Sequence, residues 1–217
     1  MLHTETVEPG TLDLATRLSQ DAALKNFVLV GGTALSLQLG HRKSIDLDFF
    51  STIPFDVRQT ARHLTDRHNA SGMVASQNTL HLDIGDVRTS FLSHQYPLVA
   101  PVNESDGIRM ASLEDIGAMK LNAIVNNGQR VKDYVDVHFL LAQKNLDQLL
   151  NAYTEKYPEA NSAIAKRALL YHKEIDFNAN VDLTGGDLKW VEIVKRLKAA
   201  VTHPGRVFNE IKMTRKR

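Results

Sequence analysis

The stretch FVLVGGTALSLQLGHRKSIDLDFF, Phe27 to Phe50, decides the fold of this chain. Phe27 to Val30 is a β-branched and aromatic run closed by Gly31 and Gly32, which predicts a short buried strand. Thr33 to Leu39 then predicts a short helix, stopped by Gly40. The first N–H groups of such a helix lack intrahelical partners, and its dipole draws negative charge. Glycines there let the backbone approach a ligand closely, so the turn is either an anion site suited to phosphates or simply a tight strand-to-helix turn that needs flexible residues. Thr33 offers a hydroxyl beside it. Ile45 to Phe50 predicts the next strand, and it carries Asp46-Leu47-Asp48. Residues two apart in a strand share a face, roughly 6.6 Å apart along it. Two carboxylates brought to about 4 Å at an effective dielectric near 20 repel by roughly 4 kcal/mol. A divalent cation removes that repulsion, and Mg²⁺ takes one or two carboxylates together with substrate phosphates.

Outward from this core, helical spacing of Leu14, Leu18 and Ala22 predicts a helix over 11–25 with Thr11 as its cap. A helix is expected from Asp56 to His68. Leu80 to Ile84 and Val87 to Leu92 alternate about Gly85-Asp86 and predict a hairpin. A short strand at Gly107 to Met110 precedes five helical patterns: Ser112 or Leu113 to Asn127, Val131 to Ala142, Leu146 to Tyr157, Ser162 to His172 and Asp187 to Val201. Strands cluster early and helices late. The class is therefore α+β, a mixed sheet followed by a helical bundle, with domains at 1–105 and 106–217.

Composition narrows the chemistry. The chain has no cysteine, which excludes disulfides, thiolate nucleophiles and cysteine zinc sites. Its longest apolar runs are a few residues, far short of the roughly 20 needed to span a membrane. Met1 to Gly10 lacks the pattern of a signal peptide, so a cytoplasmic location is expected. Residues 1–105 carry 8 Lys/Arg against 11 Asp/Glu, and 106–217 carry 18 against 14, ending in the basic run from Lys212 to Arg217. A basic second half can hold a polyanion, though the same charges suit a solvated helical surface. The nine histidines show no His-x-x-x-His or similar ligand spacing. Neither a P-loop nor a Gly-x-Ser-x-Gly elbow is present.

The order strand, Gly-Gly, short helix, Asp-x-Asp on a second strand resembles the nucleotidyltransferase superfold shared with DNA polymerase beta. GGTALSLQLGHR followed by Ser44-Ile45-Asp46-Leu47-Asp48 resembles the AbiEii-type family, the toxins of type IV toxin–antitoxin and abortive-infection systems. LEDIGAMKLNAIVNNGQRVKDYVDVHFLL, residues 113–141, resembles that family's remaining motifs. The resemblance spans roughly Phe27 to Leu141. It implies that Gly31 and Gly32 cradle nucleotide phosphates, that Asp46 and Asp48 hold Mg²⁺ or Mn²⁺, and that Lys120 and Asp133 complete the site. Asp136, one turn on, shares the face of Asp133 and competes with it for that role. Lys120 lies on the apolar face of Ile116 and Ile124, where a lysine either snorkels or enters a polar cleft. Arg42 and Ser44 either contact phosphate or serve the loop.

By the same resemblance, the reaction moves a nucleoside monophosphate from an NTP to a tRNA 3′ end or a protein side chain, and a cognate antitoxin is a partner. Polymerase-beta-like enzymes usually carry a third carboxylate on a neighbouring strand. Here that position falls near Ser90, with Asp83 and Asp86 close in sequence. Two other readings follow from this substitution and from the shared motifs: a non-catalytic nucleotide-binding or interaction module, and a small-molecule (antibiotic) nucleotidyltransferase.

Overall fold

Pro9, not Thr11, opens the first helix, α1 (Pro9–Gln20). Proline suits the first helical position because its missing N–H would be unpaired there anyway, and Glu8 takes the cap position. Leu14 and Leu18 are buried as the spacing predicts, and so is Thr11. These elements are those of a computed structural model that describes residues 1–211, 213 and 214. Of the basic C-terminal run, Lys212 and Arg215 to Arg217 lie outside the described residues.

The chain divides into two compact units, Met1–Ser112 and Leu113–Arg217. The first is built on seven strands: β1 (Val28–Val30), β2 (Leu47–Ser51), β3 (Ala70–Ser76), β4 (Thr79–Ile84), β5 (Val87–Ser93), β6 (Asn103–Ser105) and β7 (Ile108–Met110). They lie in the order β3-β4-β5-β2-β1-β7-β6. The β2–β5 and β1–β7 pairs are parallel and the others antiparallel, so the sheet is mixed as the class reading requires. β7 lies past the 105/106 boundary read from sequence and pairs with β1 through Leu29 and Met110.

Core formation follows the strand alternation. Leu47, Phe49 and Ser51 of β2 are buried on one face, and Phe49 stacks on Phe91 of β5 with ring centroids 5.3 Å apart. The β4–β5 hairpin turns on Gly85 at φ +60, and its neighbours Ile84 and Val87 pair directly. The β6–β7 turn has positive φ at both Asp106 and Gly107, the twist that matches a two-residue hairpin. β3 escapes the sequence reading because residues 71–76 are exposed and carry no apolar alternation. Two further helices complete this unit: α2 (Gly31–Leu39) and α3 (Val57–His68). Asp56 caps α3 by accepting from the amides of Arg58 and Gln59.

The second unit is helical: α4 (Leu113–Asn126), α5 (Val131–Leu140), α6 (Leu146–Lys156), α7 (Ser162–Ala168) and α8 (Trp190–Thr202). α7 stops short of the expected His172, and α8 starts at Trp190 and not Asp187. Asn145 and Gln148 form a reciprocal capping box on α6, satisfying two otherwise unpaired groups at once. Among the described residues no helix is long and apolar enough to cross a membrane.

Candidate active site in the first unit

The two glycines are the first turn of α2 itself, not a loop ahead of it, with Val30 in the cap position. Gly31 sits at φ +70, a left-handed conformation that a side chain adopts only with strain. Both glycines are also required by what lies against them. A Cβ on Gly31 would stand 2.9 Å from Asp48 Oδ2, and one on Gly32 would collide with the Arg42 guanidinium. The glycine turn and Asp48 are therefore adjacent, and the amides that open α2 share a site with a carboxylate.

Arg42 and Ser44 belong to the same cluster. Arg42 is buried, donates from Nη1 to the Lys43 carbonyl, and lies against Gly32. Ser44 Oγ is 2.8 Å from Thr33 Oγ1. Thr33 is buried and its hydroxyl donates to the Asp46 carbonyl, so it fastens the carboxylate segment to α2 and is occupied in that role. Helix α2 is in turn held by Gly40, left-handed at φ 68, whose amide donates to Ser36.

Asp46 and Asp48 differ in setting. Asp48 lies within β2 and is half-buried, whereas Asp46 precedes the strand and is exposed. Ile45, expected to anchor the strand, is 65% exposed and lies outside it. Asp48 lies against the α2 turn, and the backbone carbonyl of Asp46 is tied to α2 through Thr33. Carboxylate oxygens are hard donors of the kind that suit Mg²⁺, which keeps open positions for phosphate. The close approach of Gly31 to Asp48 is the observation on which this donor set fits a cation.

Sheet register adds a residue that the sequence reading passed over. Val30, Asp48, Ser90 and His81 are successive pairing partners across β1, β2, β5 and β4. Directly paired residues project from the same face, so Ser90 occupies the strand position beside Asp48, and His81 lies beyond it. His81 Nδ1 is 2.9 Å from Ser90 Oγ. Ser90 is buried while His81 is exposed. The signal was present in the sequence: a two-residue turn at Gly85-Asp86 fixes the register and sets residue 81 opposite residue 90.

Lys120, Asp133 and Asp136 come together within the second unit. Lys120 Nζ is 2.7 Å from Asp133 Oδ1 and 2.7 Å from Asp136 Oδ2, and all three side chains are nearly or fully buried. Lys120 thus neither snorkels nor points into open space. Both candidate carboxylates hold it, one from each of two turns of α5.

Comparison with known proteins agrees with this architecture. The family model described as "Nucleotidyl transferase AbiEii toxin, Type IV TA system" matches residues 13–79 and 74–210. The chain belongs to the AbiEii family. It is a nucleotidyltransferase of the polymerase-beta-like fold, as the order of its motifs predicts. An uncharacterized Aquifex aeolicus protein is 31% identical to this AbiEii-family chain over 182 residues, 81% of this chain and 86% of the relative. A crystal structure of a candidate nucleotidyltransferase from H. pylori superposes with a TM-score of 0.57 at 19% identity, covering 91% of this chain and 96% of that one, which shows the common fold.

Proposed function

We propose that this AbiEii-family chain is a magnesium-dependent toxin that transfers a nucleoside monophosphate from an NTP to RNA, tRNA foremost, and that a cognate antitoxin restrains it. The observation that carries the reading is the approach of Gly31 to Asp48, because a glycine turn suited to phosphate then lies against a carboxylate suited to a metal. The acceptor class rests on the charge of residues 106–217, 18 Lys/Arg against 14 Asp/Glu, which favours a polyanion.

In this mechanism the α2 amides and Arg42 orient the triphosphate, and Ser44 supports that turn. Asp46 and Asp48 would hold a divalent cation, which would neutralise phosphate charge when bound. An acceptor hydroxyl attacks the α-phosphorus, the new O–P bond forms, and the bond to the bridging oxygen breaks. Pyrophosphate leaves with that electron pair. The hydroxyl proton passes to the ring nitrogen of His81 that Ser90 does not hold, the imidazole filling the role a third carboxylate has elsewhere. Lys120, with Asp133 and Asp136, is proposed to act in the same reaction.

Transfer of label from each α-³²P-NTP into total RNA and total protein, with Mg²⁺ and with EDTA, tests the reading. Label is expected in RNA, from one nucleotide, only with the metal, and declining steeply with salt. Label in protein would move the acceptor class. Absence of label from any macromolecule, in protein that still binds NTP, would leave a binding module or a small-molecule transferase. His81→Gln is expected to lower single-turnover transfer about 10²-fold while NTP affinity stays within a few-fold. An unchanged rate would exclude His81 as the base.

A further inference from the structure

Asp21, His63 and His68 form a cluster that the nucleotidyl-transfer site does not use. Asp21 ends α1 and starts the short 3₁₀ turn Ala22–Leu24, whose Ala23 amide it caps through Oδ1 at 2.9 Å. Its other oxygen, Oδ2, stands 2.7 Å from His63 Nε2 and 2.8 Å from His68 Nε2. The two histidines come from the second half of α3, and His68 is its last residue. Asp21 and His68 are largely buried, and His63 is 27% exposed. Burial pushes the Asp21 carboxyl up, but hydrogen bonds from His68, His63 and the Ala23 amide outweigh that and hold it at about 2. The carboxylate is ionised at neutral pH.

We propose that Asp21, His63 and His68 bind one borderline divalent cation, Zn²⁺ or Co²⁺ in class, at a second metal site separate from Asp46 and Asp48. Three donors, two imidazole and one carboxylate, converge with all their ligand atoms within 4.8 Å of one another. A tetrahedral ion with bonds near 2.0–2.2 Å sets its ligand atoms about 3.3 Å apart, so each carboxylate–imidazole pair opens by only about half an ångström. Imidazole nitrogen selects zinc-like ions, where Mg²⁺ prefers oxygen alone. The Asp21 carboxylate is already oriented from behind by the Ala23 amide, the arrangement that fixes a metal ligand. On binding, each imidazole would present an unprotonated Nε2 to the ion. His68 Nδ1 is buried without a hydrogen-bond partner.

Access comes from the exposed side. His63 lines a cleft with Asp66, Asp56 and Arg62, together with Phe27 and Ser51. Those last two mark the end of β1 and β2 away from Gly31, since Val28 pairs with Phe50 and Val30 with Asp48. The ion would join the end of α1 to the end of α3 across more than 40 residues of chain and leave its remaining position facing the cleft. The histidines are five apart and the carboxylate is far upstream, which is why no ligand spacing is visible in the sequence.

The test uses full-length protein stripped with EDTA and dialysed against Zn²⁺ or Co²⁺. One zinc per chain is expected by elemental analysis, with a rise in melting temperature and a visible Co²⁺ absorption band typical of tetrahedral nitrogen–oxygen ligation. His63→Gln, a partly exposed position, should weaken zinc binding at least tenfold and abolish the band. Asp46→Ala/Asp48→Ala should retain both, so this site stands or falls independently of nucleotidyl transfer. Zinc stoichiometry and cobalt spectrum unchanged in His63→Gln, or lost instead in Asp46→Ala/Asp48→Ala, would overturn the proposal.

Discussion

Asp48→Asn should lower nucleotidyl transfer at least about 10³-fold, equivalent to roughly 4 kcal/mol of barrier. Asparagine keeps the shape of the side chain and removes only its charge. The strand that carries it is held by Leu47 and Phe49, both buried, so β2 should survive the change. The loss therefore reports on cation and phosphate and not on folding. Single-turnover label transfer at saturating Mg²⁺ and NTP, with circular dichroism as the check on structure, measures it. A loss of less than about tenfold would remove Asp48 from the reacting centre. Asp46, exposed and ahead of the strand, should tolerate substitution structurally even better, which makes the pair a clean probe of metal ligation.

The largest effect on stability is expected in the second unit. Lys156 Nζ of α6 is 2.9 Å from Asp115 Oδ1 of α4, with neither side chain exposed. Removing one member of a buried pair leaves a charge in a low-dielectric interior, at a cost of about 3–5 kcal/mol. Lys156→Ala should destabilise the helical unit by that amount. Lys156→Met/Asp115→Leu, which removes both charges and keeps volume, should recover most of the loss. Urea unfolding followed through Trp190 reads this directly. It is the sole tryptophan, it lies in the same unit, and it packs edge-on against Tyr134, His172 and Phe177. A single variant within 1 kcal/mol of the parent would show the pair to be solvated.

What the sequence disclosed and what it hid follow one physical division. Local signals were legible: the strand before Gly31, the stop at Gly40, the helix beginning near Asp56 and the hairpin at Gly85-Asp86 each depend on a few neighbouring residues. β3 was hidden because an exposed edge strand needs no apolar alternation. The start of α1 was misplaced because a buried threonine and a capping threonine look alike in sequence. At the site, Arg42 and Ser44 lie against Gly32, Asp48 lies against Gly31, and Thr33 contacts Ser44 and the backbone carbonyl of Asp46. Non-local facts were beyond reach. Nothing in the sequence says that Thr33 is spent on the Asp46 carbonyl, or that Lys120 is gripped by two carboxylates at once. His81 was an intermediate case, since its place opposite Ser90 followed from a turn already recognised.

The parallel pairing of β1 with β7 also orders events during synthesis. β1 can pair with β2 once residue 51 has emerged, but its other edge has no partner until Ile108–Met110 arrives. At about 5–20 residues per second, the intervening 56 residues (52–107) leave the ribosome over roughly 3–11 s. Throughout that interval the strand leading into Gly31 has one open, apolar edge, and the glycine turn rests on an unfinished sheet. The strand that leads into Gly31 is thereby completed on both edges only when residue 110 has been made.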